Sequence, residues 1–159
     1  MTKIKHLHHA AYRCRDSEAT RAFYEDFLGL PLTNALPIGT TKTGRDANVL
    51  HTFFEMADGS CLAFFEEPES PFDFKDQRDF DLHIALEVSR ETLLEMFEKG
   101  KAAGIETRGI SDHGFIDSIY FRDPNGYVVE LAAAKEDAGE RPDPHQILAD
   151  WQSAKETAG

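Results

Sequence analysis

The chain has 159 residues, of which 41% are hydrophobic and 12 are Phe, enough apolar surface for one packed domain spanning 1–159. Its formal net charge of −12 opposes binding to nucleic acid or to an anionic membrane. There is no signal-type N-terminus and no long apolar run, so we expect a cytoplasmic protein. Cys14 and Cys61 lie in strand-like apolar runs and are expected to be small core residues, not a disulfide or zinc site.

The first half of the chain predicts a strand, a helix and a hairpin, followed by a charged linker. The boundaries come from capping residues, helical spacing of apolar residues, and Pro and Gly. In chain order we expect a strand at 5–14, a helix from Asp16 or Ser17 to Gly29, mostly loop with one short strand at 30–48, a hairpin of strands 49–56 and 60–66, and a linker at 68–80.

The same order of elements then returns. We expect a strand at 81–88, a helix at 91–103, a strand near 105–109 and a hairpin at 119–131. Superposing the two halves sets His9 on His83 and Ala63 on Glu130. The chain therefore predicts an α+β fold of two βαβββ repeats, residues 5–67 and 81–133.

The C-terminal segment, 134–159, begins charged and becomes helix-like. Ile147, Leu148 and Trp151 fall on one side of the predicted helix. We expect this tail helix to pack on its own domain. A dimer contact is the second interpretation.

In the stretch Ile119–Leu131, the apolar strand that follows the turn Asp123-Pro-Asn-Gly126 contains one carboxylate, Glu130. Alone, this pattern fits a Glu130 that points to solvent. The repeat adds His9 and His83, because equivalent positions in two pseudo-symmetric halves face each other across the axis that relates them. Two imidazoles and one carboxylate suit a divalent metal ion and leave coordination positions open for substrates.

Over residues 5–132 the repeat, the two histidines and the run from Asp123 to Glu130 resemble the vicinal oxygen chelate superfamily. That superfamily includes glyoxalase I, methylmalonyl-CoA epimerase, fosfomycin-resistance proteins, bleomycin-binding proteins and type I extradiol dioxygenases. The resemblance implies a curved eight-stranded mixed sheet that forms a cup, with flanking helices and a metal at its base. Members build the cup within one chain or by exchanging modules between two chains. Our default expectation is a homodimer.

Ala63 bears on which branch of the superfamily the chain resembles most. Glyoxalase-like and epimerase-like members generally use four protein ligands, with Glu or Gln at the place of Ala63, and Ala cannot ligate. The remaining set of His9, His83 and Glu130 matches the three-ligand site of non-haem Fe(II) oxygenases. We therefore expect Fe(II), with Mn(II), Zn(II) or Ni(II) as alternatives. His8 competes with His9, which we prefer because it aligns with His83.

Two further residues match the extradiol dioxygenases, which carry a His and a Tyr ahead of the metal Glu. His113 and Tyr120 occupy those places, although His113 fits a surface residue equally well and Tyr120 fits ordinary strand packing. Those enzymes have another active-site His on the last strand of the first repeat, where this chain has Ser60–Phe64. His51, in the preceding strand, is the candidate substitute.

The resemblance thus implies an Fe(II) enzyme that cleaves a catechol-like ring with dioxygen, its substrate a small aromatic or vicinal-oxygen compound. The alternatives are a glyoxalase- or epimerase-like lyase or isomerase, and a non-catalytic binding protein of the drug-resistance type. Ala63 argues against the lyase. The histidines and the glutamate argue against the binding protein.

Overall fold

Two repeated units account for most of the fold within residues 2–137 and 139–159, the part of the chain that the computed structural model describes. The first repeat consists of β1 (His9–Arg13), α1 (Ser17–Arg21) continuing as a π-helical segment (Ala22–Phe27), β2 (Leu32–Thr40), β3 (Asp46–Glu55) and β4 (Cys61–Glu66). The second consists of β5 (His83–Glu87), α2 (Arg90–Ala102), β6 (Thr107–Asp112), β7 (Ile116–Arg122) and β8 (Val128–Ala134), and is followed by α3 (Pro144–Ala158). The α+β fold of two βαβββ repeats is confirmed.

Each repeat forms its own four-stranded sheet, and the two sheets have the same topology. The strand orders are β1-β4-β3-β2 and β5-β8-β7-β6, with the first pair of each parallel and the others antiparallel. In the first sheet Ala63 lies opposite Ala11, two residues after His9. In the second, Glu130 lies opposite Ala85, two residues after His83. The two repeats therefore share one register, and Glu130 occupies the same position as Ala63.

Strand β2 corrects the expectation that residues 30–48 are mostly loop. Pro37 lies within this nine-residue strand and faces Leu50 of β3. The strand tolerates a proline because β2 is the outermost strand of its sheet, where a missing N–H breaks no ladder hydrogen bond on the open side.

The first two helices begin at side-chain caps, the expected Asp16 for α1 and Ser89 for α2. The Asp16 side chain accepts a hydrogen bond from the Ala19 amide at 2.7 Å, and the Ser89 side chain accepts one from the Thr92 amide at 3.1 Å. The first helix then buries three aromatic side chains, Phe23, Tyr24 and Phe27. They belong to the hydrophobic core that the first sheet shares with the second repeat.

The turn at Asp123–Gly126 joins the two repeats. The Tyr24 hydroxyl donates to Asp123 Oδ2 at 2.8 Å, and the Arg15 amide donates to Asn125 Oδ1 at 2.8 Å. The Tyr127 hydroxyl donates to the Arg13 carbonyl at 2.6 Å. Burial raises the pKa of Asp123 above its ordinary value. The second repeat is thus attached to the first through α1 and the end of β1.

Strands β1 and β5 are edge strands, and no strand pairing joins the two sheets within the described residues. The eight strands of the expected cup are therefore present as two separate four-stranded sheets. His9 on β1 and His83 on β5 are both exposed. An open edge offers unpaired backbone N–H and C=O groups to another strand.

Helix α3 corrects the expectation that the tail packs on its own domain. Every residue of Pro144–Ala158 is exposed, including Ile147, Leu148 and Trp151. Among the described residues, no helix is both long enough and apolar enough to cross a membrane.

Candidate active site

His83 and Glu130 lie together on the second sheet. His83 Nε2 is 3.2 Å from Glu130 Oε2, and Glu130 is only 6% exposed. The parallel pairing of β5 with β8 produces this contact, because it sets Glu130 level with Ala85, two residues beyond His83 and on the same face.

The hydrogen bond on the other side of the His83 ring fixes its tautomer. His83 Nδ1 lies 2.7 Å from the Asp79 carbonyl oxygen, which can only accept, so Nδ1 carries the proton. In neutral His83 the Nε2 lone pair then points at a carboxylate. Two acceptor atoms this close call for something between them, either a shared proton or a metal ion held by both. A ligating histidine ordinarily donates its other N–H to a carbonyl in this way, so the pair fits a metal site.

Ser118 holds the other oxygen of Glu130. Its buried hydroxyl donates to Glu130 Oε1 at 2.5 Å from the neighbouring strand β7. This bond orients the carboxylate and leaves Oε2 free to face His83. Sequence reasoning missed Ser118, because a serine in an apolar strand carries no signal until the strand pairing is known.

Tyr120 and His113 form a second polar pair beside Glu130. Tyr120 lies directly opposite Glu130 in the β7–β8 ladder, and its hydroxyl is 2.8 Å from His113 Nε2. Burial, together with the charge of Glu130, raises the pKa of Tyr120 above its ordinary value, so its hydroxyl stays protonated at neutral pH. The structure thus brings together two of the predicted catalytic residues.

Asp79, in the linker between the two repeats, contacts the site through both its backbone and its side chain. Its carbonyl accepts from His83, and its carboxylate accepts two hydrogen bonds from Arg108, at 2.8 and 3.1 Å. The Arg108 guanidinium holds the pKa of Asp79 below its ordinary value and lies 5.0 Å from the centroid of the Tyr120 ring. Sequence reasoning missed Asp79 because residues 68–80 gave only a linker pattern, and it missed Arg108 because the pairing of Arg108 with Tyr120 is known only from the structure.

His9 lies apart from the other two predicted ligands. Its Nδ1 is 2.8 Å from His8 Nδ1, and its ring meets Phe53 edge-on with centroids 5.7 Å apart. Within residues 2–137 and 139–159, no group of three or more His, Cys, Asp or Glu side chains is arranged to hold a metal ion. One chain therefore brings together two of the three predicted ligands.

A cavity of about 530 Å³ beside β5 shows which way β1 is turned within one chain. Strand β1 lines it with Ala10 and Tyr12, while β5 lines it with residues that include His83. Side chains alternate along a strand, so His9 and Ala11 point to the opposite face of the first sheet. Strand β1 thus turns its His9 face away from the cavity that it shares with β5.

The structure places His51 in the first sheet, on the face that carries His9. Its ring stacks on Phe65 with centroids 3.7 Å apart and contacts Phe53 at 4.3 Å. His51 Nδ1 lies 3.1 Å from the Phe64 carbonyl oxygen, so Nδ1 donates and Nε2 is left as the basic nitrogen. Ala63, fully buried and paired with Phe53, takes the slot that Glu130 fills in the other sheet.

Comparison with known proteins agrees with this architecture. Residues 6–131 match the model of the Glyoxalase/Bleomycin resistance protein/Dioxygenase superfamily, whereas no curated protein sequence matches significantly. A glyoxalase/dioxygenase from Nostoc punctiforme is 25% identical, with a TM-score of 0.64, over 84% of this chain and 94% of that one. The fosfomycin resistance protein FosX from Listeria monocytogenes is 23% identical, with a TM-score of 0.65, over 85% and 98%. A Glu-to-Gln mutant of FosX complexed with Mn(II) and 1S,2S-dihydroxypropylphosphonic acid is 24% identical, with a TM-score of 0.62, over 85% and 97%.

Proposed function

The chain belongs to the Glyoxalase/Bleomycin resistance protein/Dioxygenase superfamily, and from this premise we propose that it is a metal-dependent enzyme acting on a small molecule with two vicinal oxygens. The observation that carries the proposal is the His83–Glu130 pair. Its geometry leaves an imidazole lone pair and a buried carboxylate oxygen facing each other at 3.2 Å. An electrophilic cation satisfies both groups at once.

We propose that the third ligand, His9, comes from a second copy of the chain. His9 and His83 both lie on open sheet edges, and within one chain the His9 face of β1 is turned away from β5. Pairing β1 of one copy with β5 of the other satisfies both edges and brings His9 to the His83–Glu130 pair. A two-fold dimer then contains two identical sites.

Two imidazoles and one carboxylate suit Fe(II), our first choice, and also Mn(II), Zn(II) or Ni(II). When bound, such an ion supplies Lewis acidity and holds the reactants in orientation. With a single carboxylate ligand the loaded site keeps a net positive charge. That charge favours a substrate that binds as an anion through two neighbouring oxygens, such as a catechol.

The reaction we propose is extradiol ring cleavage of a catechol-like substrate by dioxygen. Tyr120 and His113 provide a route for the substrate proton. The substrate hydroxyl donates to Tyr120 Oη, while the Tyr120 proton passes along the 2.8 Å hydrogen bond to His113 Nε2. His51, whose Nε2 is free to accept a proton, faces the same site from the second copy.

A lyase or hydrolase acting on another vicinal-oxygen compound is the second candidate. It draws on the FosX complex, which holds Mn(II) together with a vicinal diol. Such chemistry would call for a carboxylate at the slot of Ala63, either as a fourth ligand or as a proton carrier. The first sheet offers no carboxylate in that slot, so ring cleavage stays our first choice.

The test is metal analysis and oxygen uptake on protein loaded anaerobically with Fe(II). We expect stoichiometric iron and oxygen uptake with at least one member of a panel of catechols and hydroquinones. His83→Ala should lose both, whereas His145→Ala, which removes an exposed histidine at the start of α3, should lose neither. Uptake with none of the panel, alongside turnover of a hemithioacetal or an epoxide, would move the function to the second candidate. Absence of bound metal would overturn the proposal.

A further inference from the structure

Helix α3 leaves its three largest apolar side chains in water. Ile147 is 55% exposed, Leu148 58% and Trp151 65%, and their spacing puts them in one stripe along the helix. A 15-residue helix is only marginally stable by itself in water, and a contiguous exposed apolar patch usually marks an interaction surface. The helix also lies beyond residue 131, where the match to the superfamily ends.

The segment before α3 holds the start of the helix beside the active site. The Lys135 ammonium lies 2.6 Å from Asp112 Oδ1, and the Lys135 backbone amide donates to the Phe115 carbonyl at 3.0 Å. Further along, the Arg141 guanidinium lies 5.0 Å from the centroid of the Phe115 ring. These contacts tie the connector to the β6–β7 turn, which also carries His113.

The first sheet contains a matching apolar hollow of about 390 Å³. Ile38, Val49, Phe65 and Phe72 contribute to its walls, and the Phe72 side chain is about half exposed. Ala11 also lines the hollow and points to the same face as His9. When His9 of a second copy reaches this chain's His83, the hollow of that copy lies on the same side of the shared sheet as Tyr120 and His113.

Charge favours the same pairing. Residues 135–159 contain six acidic and three basic side chains, in a chain whose net charge is −12. The β2–β3 turn at the end of the hollow carries two basic residues, Lys42 and Arg45, of which Arg45 lies 3.5 Å from Glu67 in the wall of the hollow. An acidic segment approaching a basic turn gives electrostatic complementarity between two copies that otherwise repel each other.

We propose that α3 packs its Ile147–Leu148–Trp151 stripe against the hollow of the second copy's first sheet and closes the mouth of the shared site. This inference rests on the two-copy site proposed above. The helix is roughly 22 Å long, enough to cross the mouth of a small-molecule site. Docked there, it excludes water from the reacting groups.

The single Trp of the chain makes the proposal directly measurable. In the full-length dimer loaded with Mn(II) we expect blue-shifted Trp151 emission and acrylamide quenching several-fold weaker than in the monomer reached by dilution. Leu148→Glu, on the stripe, should restore strong quenching. Ser153→Glu adds the same charge on the opposite face of α3 and should leave quenching weak.

A second pair of variants tests whether the hollow of the first sheet is the surface on which α3 packs. Phe72→Ser, in the hollow, should expose Trp151 as Leu148→Glu does, whereas Leu94→Ser, at an exposed position on α2, should not. Metal stoichiometry on the same samples separates the two proposals. A dimer that binds metal with Trp151 fully quenchable overturns the docking alone, as does a monomer in which Trp151 is already protected. A chain that neither dimerises nor binds metal overturns the two-copy site and the docking together.

Discussion

The two sheets pair their strands in the same way but carry different side chains at equivalent positions. One row across the first sheet reads Ala11–Ala63–Phe53–Asn34, and the matching row across the second reads Ala85–Glu130–Tyr120–Arg108. His51 takes the position of Ser118 in the adjacent row. The first sheet therefore offers aromatic side chains and one proposed ligand, His9, while the second offers the polar side chains around Glu130. Neither sheet is a complete site by itself. In the proposed dimer, the first sheet of one copy meets the second sheet of the other.

The largest expected effect is the loss of metal affinity when the second sheet loses its carboxylate Glu130. Glu130→Gln should weaken Mn(II) or Fe(II) binding at least about 100-fold. Mutating a residue that only hydrogen-bonds to a metal ligand already lowers metal affinity roughly 10- to 100-fold, and the loss of a ligand should cost more. Glu98→Gln removes an exposed carboxylate of α2 and should leave affinity unchanged. Isothermal titration or equilibrium dialysis measures both. Equal affinity in the two variants would mean that Glu130 is not a ligand.

The second largest expected effect is on stability, when the equivalent glycines of the two hairpin turns are each replaced by alanine. Gly126 and Gly59 both have positive φ, +96° and +85°, so Ala is strained at either position. A Cβ at Gly126 would also lie 2.3 Å from the Lys75 carbonyl oxygen, whereas at Gly59 the nearest atom is 3.9 Å away. Gly126→Ala should cost about 3 kcal/mol or more and Gly59→Ala about 1–2 kcal/mol.

Urea unfolding of both variants checks this difference. Equal losses of stability would show that the linker does not press on the second hairpin.

The residues just before these two glycines, Asn125 and Asp58, should also differ in their contribution to stability. Asn125 is buried, accepts from the Arg15 amide and donates to Asp123, so Asn125→Ala should lower the free energy of unfolding by about 1–3 kcal/mol. Asp58 holds the equivalent place in the first repeat, where its side chain accepts hydrogen bonds from Ser60, two residues further along the chain. Thermal melts should show the Asn125→Ala variant as clearly less stable than Asp58→Ala. The reverse order would contradict the account of the turn as the joint between repeats.

The smallest expected effect is a pH dependence from the Asp79–Arg108 pair. Arg108 lowers the pKa of Asp79 in the folded state, so this contribution to stability is present above the unfolded pKa of about 3.9 and is lost as pH falls through the lower folded value. Asp79→Asn should therefore flatten the stability curve below about pH 4. Urea unfolding at several acidic pH values measures the slope. An unchanged slope would show that Asp79 titrates alike in both states.

The sequence allowed the repeat and the equivalence of Ala63 with Glu130 to be predicted, because a shared order of elements can be read along the chain without knowing how the strands pair. Strand β2 was expected to be short within a segment of mostly loop, since Pro37 disfavours a strand everywhere except at an open edge, and the structure makes it nine residues long. The Ser118–Glu130 and Asp79–His83 contacts were missed because they arise from strand pairing and from the path of the linker. The expectation for α3 was wrong, because an apolar stripe shows that a helix packs but not on which chain.

In the proposed dimer, His9 of one copy completes the His83–Glu130 pair of the other. The most direct test mixes His9→Ala with Glu130→Gln at a Mn(II) concentration that loads the wild type but neither variant alone, under conditions of subunit exchange verified by native mass spectrometry. Each mixed dimer has one intact site, so random pairing should restore Mn(II) binding at about one quarter of the wild-type sites. Mixed dimers that form and bind no Mn(II) would contradict the shared site.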